Sequence, residues 1–459
     1  MHRLVCLVFA CCTALAFSAP TNVVLIVSDD QGYPDLGCIG TKPIHTPNLD
    51  RLAAEGVRGT SFYVTWCACT PSRSSILTGR FPQRNGLYDM IRNDLTNYDH
   101  LFTNEEYAVS PEMTLGLDVQ EITIGDVLKK AGYTCGMVGK WDMGQAKRFL
   151  PLQRGFDFFY GHGNNGIDYY THARYGVHSI FRGNERSDED KGTYITDVFE
   201  RESLRFLDES KGKPFFLYLA FNAPHGASSF AEKPGGKRPG VQAPEEYWKP
   251  YMDVLKDERL ARYYGAVTCM DEAIGEVMKK LEAMGVAEDT LVMFLSDNGG
   301  SGNGDNKPLQ GKKSTMWEGG LRVPFIARWP GKLPAGKVTD EFLTALEIFP
   351  TIVEATGATA PEGVTLDGFD MTPILRGETA SPRTTMFWKR RNDMAARVGN
   401  WKWLDSAKGK GLYDLSKDIG EKNDLSKEMP EKAAELRQAF NDWLAEMDAS
   451  EPRGPFRNY

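Results

Sequence analysis

Apolar residues in this chain fall in short continuous runs, separated by longer stretches with helical spacing. Residues 22–27 form such a run, the pattern of a strand covered on both faces. Residues 133–138, 215–221, 290–295 and 323–327 read the same way. Between them, Thr46-Pro47-Asn48 opens a helix through Leu49, Leu52, Ala53 and Ala54. Residues 121–130 have helical spacing, and residues 258–284 make a long amphipathic helix. Alternating strand and helix predicts an α/β fold, a large mixed, mostly parallel sheet sandwiched by helices. After Gly377 the pattern changes to short strands at 385–388, 395–398 and 401–404, then a helix at 431–447. That predicts a small C-terminal antiparallel sheet plus helix over residues 378–459, beside a main domain of residues 19–377.

Residues 1–18 read as a signal peptide: His2 and Arg3 lead an apolar run over 4–17, with Ala14-Leu15-Ala16 as the cleavage site. The protein is therefore expected to be secreted or periplasmic, and the short signal with few cysteines suggests a bacterial source. No later stretch is apolar enough for a membrane span. Removing the signal takes Cys6, Cys11 and Cys12 and leaves Cys38, Cys67, Cys69, Cys135 and Cys269. An odd count in an exported chain suggests that one cysteine has a special fate. The formal net charge of -8 favours no nucleic-acid partner, so an anionic substrate would have to be met by local basic residues.

Four of the apolar runs end on polar residues: Asp29-Asp30, Lys140 with Asp142, His225, and Asp297-Asn298. In an open α/β sheet the carboxyl ends of strands line the ligand crevice, so the four sets are expected to converge. Adjacent carboxylates repel unless a cation lies between them. Three aspartates with an amide oxygen suit a hard divalent ion, Ca2+ before Mg2+, and lack the Cys and His ligands that zinc prefers. Taken singly, each pair also reads as a helix cap or a turn.

The segment Cys69-Thr70-Pro71-Ser72-Arg73, continuing to Leu77-Thr78-Gly79-Arg80, resembles the hallmark of the formylglycine-dependent (type I) sulfatases, of the alkaline phosphatase-like superfamily. Pro71 suits a first helical turn, which would set residue 69 at a helix N-terminus, where anions are favoured. The resemblance extends over nearly the whole chain after the signal. It implies that Cys69 is oxidised to 3-oxoalanine (formylglycine) by a formylglycine-generating enzyme, and that Asp29, Asp30, Asp297 and Asn298, with residue 69, bind calcium. It implies catalytic roles for Cys69, Arg73, Lys140, His225 and Lys313. Counting back from Glu318-Gly319-Gly320 selects Lys313 over Lys312 as the sulfate-binding lysine. The implied reaction has one hydroxyl of the hydrated aldehyde attack sulfur while the other later expels sulfate. His225 serves the leaving oxygen.

One position departs from the family. Where Gly-Lys-Trp-His-Leu-Gly is usual, this chain has Gly139-Lys140-Trp141-Asp142-Met143-Gly144. An aspartate donates a hydrogen bond only when protonated, so Asp142 turns aside, meets a basic substrate-binding partner, or acts as a base. The loop over 156–178 is rich in aromatic and polar groups that suit a sugar. With Asp142, its His172, Arg174 and His178 are candidate substrate-binding residues. The expected partner is a sulfated carbohydrate, from polysaccharide degradation. Rival readings are a formylglycine-dependent phosphonate monoester or phosphodiester hydrolase and a catalytically silent carbohydrate-binding homologue.

Overall fold

The computed structural model describes residues 20–40, 43–233 and 236–450; the signal segment 1–18 lies outside them. Ten strands form the main sheet. In chain order they are β1 (Asn22–Ser28), β2 (Val57–Gly59), β3 (Thr134–Lys140), β4 (Phe158–His162), β5 (Ile180–Arg182), β6 (Glu185–Arg186), β7 (Phe215–Ala220), β8 (Thr290–Ser296), β9 (Phe325–Arg328) and β10 (Lys337–Thr339). Their order across the sheet is β10-β2-β9-β8-β1-β7-β3-β4-β5-β6. The central strands from β8 to β4 all run parallel, and the edges turn antiparallel at β9 and β5.

Strand alternation explains the unbroken apolar runs. In β1, Val23, Leu25 and Val27 point to one face and Val24 and Ile26 to the other, and every residue is buried. The first face is covered by α2 (Cys69–Thr78), α3 (Ile124–Lys130) and α6 (Ile348–Thr356), through Ile76, Leu77, Val127, Phe349 and Ile352. The second is covered by α1 (Pro47–Ala54), α4 (Ile195–Glu209) and α5 (Glu258–Ala283), through Leu49, Leu52, Phe199, Phe206 and Ile274. The helix expected from residue 121 starts at Ile124 instead, because Thr123 and Asp126 form a capping box there. The strand expected from 323 begins at Phe325, after Pro324, which has no N–H to give a ladder.

The C-terminal part is a four-stranded antiparallel meander, β11 (Thr385–Arg390), β12 (Asp393–Val398), β13 (Trp401–Ser406) and β14 (Gly409–Asp414), with α7 (Pro430–Ala449) on it. Leu436, Phe440 and Met447 of α7 share one apolar cluster with Trp388 and Trp403 of the sheet and with Tyr63, Trp66 and Trp317 from earlier in the chain. Two indoles lock the contact: Trp388 Nε1 donates to Val64 O at 2.7 Å, and Trp66 Nε1 to Lys389 O at 2.8 Å. No disulfide occurs among the described residues, where all five cysteines are free thiols. No described helix is long and apolar enough to cross a membrane.

Candidate active site

The four strand ends singled out above belong to neighbours, β8, β1, β7 and β3. Ser296 pairs with Ser28, Val27 with Ala220, and Ala220 with Gly139, so the polar residues leave the sheet at one level. Backbone bonds tie the exits together: Asp29 N donates to Ala223 O at 3.0 Å and Asp297 N to Ser28 O at 3.1 Å. Gly299 permits a further close approach, since a Cβ there would lie 1.8 Å from Gly319 O. This brings the loop that carries Lys313 against the Asp297 exit. α2 begins at Cys69, behind the extended residue Ala68, and all its residues are buried.

These elements deliver an interlocked set of charges. Arg73, one turn after Cys69, donates to Asp297 Oδ2 at 2.8 Å and to Lys140 O at 3.2 Å. Lys140 Nζ is 2.5 Å from Asp29 Oδ2. Lys313 Nζ is 2.6 Å from Asp30 Oδ1 and 3.1 Å from Cys69 Sγ, whereas Lys312 is exposed. Cys69 Sγ is 3.4 Å from Asp29 Oδ1. His225 Nδ1 faces Gly226 O at 2.7 Å and so carries its proton, leaving Nε2 toward Asp30 Oδ2 at 3.7 Å. Burial of such groups is tolerated only because each has a partner of opposite charge.

Burial also sets the protonation. It pushes Asp29 up to about 7, with the nearby Asp297 charge adding to the effect. Asp30 is also buried, but Lys313 and His225 hold its carboxyl well below the usual range. Burial, and then the Lys313 charge, brings His225 down to about 3. The Cys69 thiol is pushed far above its usual value by burial and then by Asp29. An unmodified thiol in this place is protonated and a poor nucleophile.

Asp29, Asp30, Cys69 and His225 hold ligand atoms within 4.8 Å of one another. Asn298 Nδ2 is used on Asp30 Oδ1 at 2.8 Å, while its Oδ1 is buried with no hydrogen-bond partner. Asp30 N donates in turn to Asp297 Oδ1 at 3.3 Å. The orphaned amide oxygen and these carboxylates thus offer oxygen donors that fit a hard divalent cation, with Cys69 and His225 at the edge of the group.

Asp142 has a left-handed backbone (φ 56°) and is buried. Its Oδ1 accepts from Thr70 Oγ1 at 2.9 Å and from Asn165 Nδ2 at 2.6 Å, and Lys140 lies 3.7 Å from Oδ2. Arg174 Nη2 donates to Asn165 Oδ1 at 3.2 Å, and its Nε pairs with Glu112 at 2.9 Å. A chain of contacts thus runs from the residue after Cys69 to Arg174, which lines the cleft beside Cys69 with His225 and Lys313. His172 and His178 do not join it: their Nε2 atoms face the backbone carbonyls of Thr193 and Ser187, and neither lines that cleft. Trp66, Arg92 and Arg390 line it without having been singled out in the sequence. They lie outside the four strand ends of the main sheet, and no local motif marks them.

Comparison with known proteins gives a consistent result. The family model "Sulfatase" matches residues 21–358, and "N-sulphoglucosamine sulphohydrolase, C-terminal" matches residues 311–450. Arylsulfatase A of Homo sapiens is 32% identical over 511 aligned positions, covering 98% of this chain and 92% of that protein. N-acetylgalactosamine-6-sulfatase of Canis lupus familiaris is 32% identical over 414 positions, covering 84% of this chain and 73% of its own. Among solved structures, Ps i-CgsB in complex with k-i-k-neocarrahexaose superposes with a TM-score of 0.79 at 30% identity, covering 93% of each chain.

Proposed function

Because the chain belongs to the sulfatase family and is a sulfuric ester hydrolase, we propose that its substrate is a sulfated carbohydrate and that Cys69 is the residue converted to formylglycine. Family membership implies that modification and a divalent metal ion. The observation that carries the assignment is the buried position of Cys69 at the amino end of α2, between Lys313 at 3.1 Å and Asp29 at 3.4 Å. The carbohydrate is suggested by the relatives, which include an N-acetylgalactosamine-6-sulfatase and a protein solved with a neocarrahexaose.

In this reading Asp29, Asp30, Asp297 and Asn298 would hold the ion, and calcium suits their oxygen donors better than magnesium does. When bound, it supplies positive charge beside residue 69 and the sulfate oxygens. A formylglycine supplies a hydrated aldehyde, whose hydroxyl is the nucleophile. Lys140, Lys313 and Arg73 hold that hydroxyl and neutralise the sulfate oxygens. Lys313 reaches residue 69 directly, and Arg73 braces Lys140 through its carbonyl oxygen. His225 Nε2 is the atom that exchanges a proton with the leaving oxygen. The N-terminal signal pattern supports action outside the cytoplasm.

The test is sulfate release by protein co-produced with a formylglycine-generating enzyme, on sulfated mono- and oligosaccharides and on a phosphonate monoester. Wild type is expected to release sulfate and Cys69→Ala to lose turnover by at least about 10⁴-fold, the scale seen when a covalent nucleophile is removed. Turnover of the phosphonate alone, or full activity of Cys69→Ala, would overturn the assignment.

A further inference from the structure

We propose that Arg390 and Arg92 form a second anion-binding subsite beside the catalytic centre. The preferred substrate then carries a second anionic group, on the sugar that holds the scissile sulfate or on its neighbour. The inference rests on the sulfatase reading above and adds a substrate class to it.

The cleft next to Cys69 encloses about 180 Å³ and is lined by four cationic side chains, Arg92, Arg174, Lys313 and Arg390, beside the neutral His225. Asp89 is the one carboxylate in that lining among the described residues, and Arg391 occupies it at 2.9 Å. So basic a cleft in a chain of net charge -8 is a local device aimed at anions. These side chains differ in what else they do. Lys313 and His225 face Asp30. Arg174 is held by Glu112 at 2.9 Å and bonds Asn165 and Ser228, each at 3.2 Å.

Arg390 and Arg92 are less committed. Arg390 is the last residue of β11, in the C-terminal sheet, and its guanidinium stacks 5.7 Å from the Trp66 ring. Its Nη1 makes long contacts, 3.5 Å to Ser314 O and 3.6 Å to Asp393, and its buried Nε has no hydrogen-bond partner. Trp66 and Ser314 line the same cleft, so a planar fork is presented beside an aromatic face. That arrangement suits a sulfate or carboxylate on a sugar ring. Arg92 pairs with Asp94 at 2.7 Å, but that carboxylate is 65% exposed. A pair so exposed is weak and readily exchanged for a ligand anion. Arg92 also lines a second cavity of about 1020 Å³, together with Asp89, Met90 and Asn93 of the first. It therefore stands where the small cleft widens, the place that a second group on an adjoining sugar would reach.

The experiment measures kcat/KM of wild type, Arg390→Gln, Arg92→Gln and the double variant. The substrates are 4-nitrophenyl sulfate, a monosulfated disaccharide, its disulfated form and its uronate form. Wild type is expected to favour the doubly anionic sugars, and the faster of the sulfate and carboxylate arms identifies the second group. Each variant is expected to lower the ratio of doubly to singly anionic turnover by about 10- to 100-fold, mainly through KM, the contribution of one charge-assisted pair. An unchanged ratio in the double variant overturns the subsite. Equal losses on all substrates assign these residues a structural role and overturn it too. Absence of turnover on every sulfate ester by wild type would instead overturn the parent reading, and the subsite with it.

Discussion

Lys402 offers the sharpest test of how the C-terminal sheet is fastened to the rest of the molecule. It lies on β13, and its ammonium is 2.9 Å from Glu318 Oε1 and 2.9 Å from Glu421 Oε1, with all three side chains fully buried. Glu318 also takes the Tyr63 hydroxyl, and its backbone N–H donates to Glu421 Oε2 at 2.7 Å. Lys402→Met keeps most of the apolar stem and removes the ammonium, leaving two carboxylates facing each other. Breaking a buried pair from one side costs about 3–5 kcal/mol. Burial, with the Glu318 charge behind it, already pushes Glu421 up to about 7 against the pull of Lys402. Glu318 is also buried, but Lys402 first and then Arg322 and Arg397 hold it below its usual range. Losing Lys402 therefore raises both carboxyls. A carboxyl raised above its unfolded value contributes stability at low pH and loses it as pH climbs through the folded value. The deficit of the variant should then grow as pH rises through about 7, the value of Glu421 in the intact cluster, approaching about 3–5 kcal/mol at the upper end. Denaturant unfolding followed by tryptophan fluorescence reads this, since Trp66, Trp317, Trp388 and Trp403 sit in the shared cluster. Adding Glu421→Gln should recover part of the loss, because one stranded charge is gone. A deficit below about 1 kcal/mol at the upper pH, or one that does not change with pH, would refute the reasoning.

Chelation followed by differential scanning should lower the unfolding temperature, and calcium should restore it at lower concentration than magnesium. At a hundred times its dissociation constant a native-state ligand adds about 2.7 kcal/mol, so no shift on chelation would count against the ion site. Asp142→Asn keeps an acceptor for Thr70 and Asn165, while Asp142→Ala strands both donors. The alanine variant is expected to lose about 1–3 kcal/mol in denaturant unfolding and the asparagine variant less. Equal losses would show that the charge, and not the acceptor, is what Asp142 contributes.

Much of the fold and the floor of the site was legible because buried parallel strands are apolar throughout. A polar residue in such a run marks where the strand leaves the sheet. Asp29, Asp297, Lys140 and His225 stood out for that reason, and the strand order β8-β1-β7-β3 makes them neighbours. What stayed illegible was which way a side chain faces once it is in a loop. His172 and His178 looked as suited to a sugar as Arg174, yet their rings are turned to the carbonyls of Thr193 and Ser187. Asp142 was readable as a departure, but its partners were not. Thr70 lies 72 residues away from it and Asn165 lies 23, and no periodicity links separations of that kind.

The same distinction separates chemistry from selectivity in this molecule. The charges nearest residue 69 come from strand ends, α2 and the Lys313 loop, which packs on the Asp297 exit through Gly299. Shifting any one of them would break a buried ion pair. Arg390 instead arrives from β11, on a sheet docked through Trp66 and Trp388 and bolted by Lys402. Its rotation would disturb the stacking on Trp66 and the long contacts to Ser314 and Asp393, but no tight buried ion pair. Substitutions at Arg390 should therefore be tolerated by the fold where substitutions at Arg73 are not, since Arg73 is fully buried against Asp297 at 2.8 Å. On this argument substrate preference can vary on the C-terminal wall while the reaction stays fixed on the sheet.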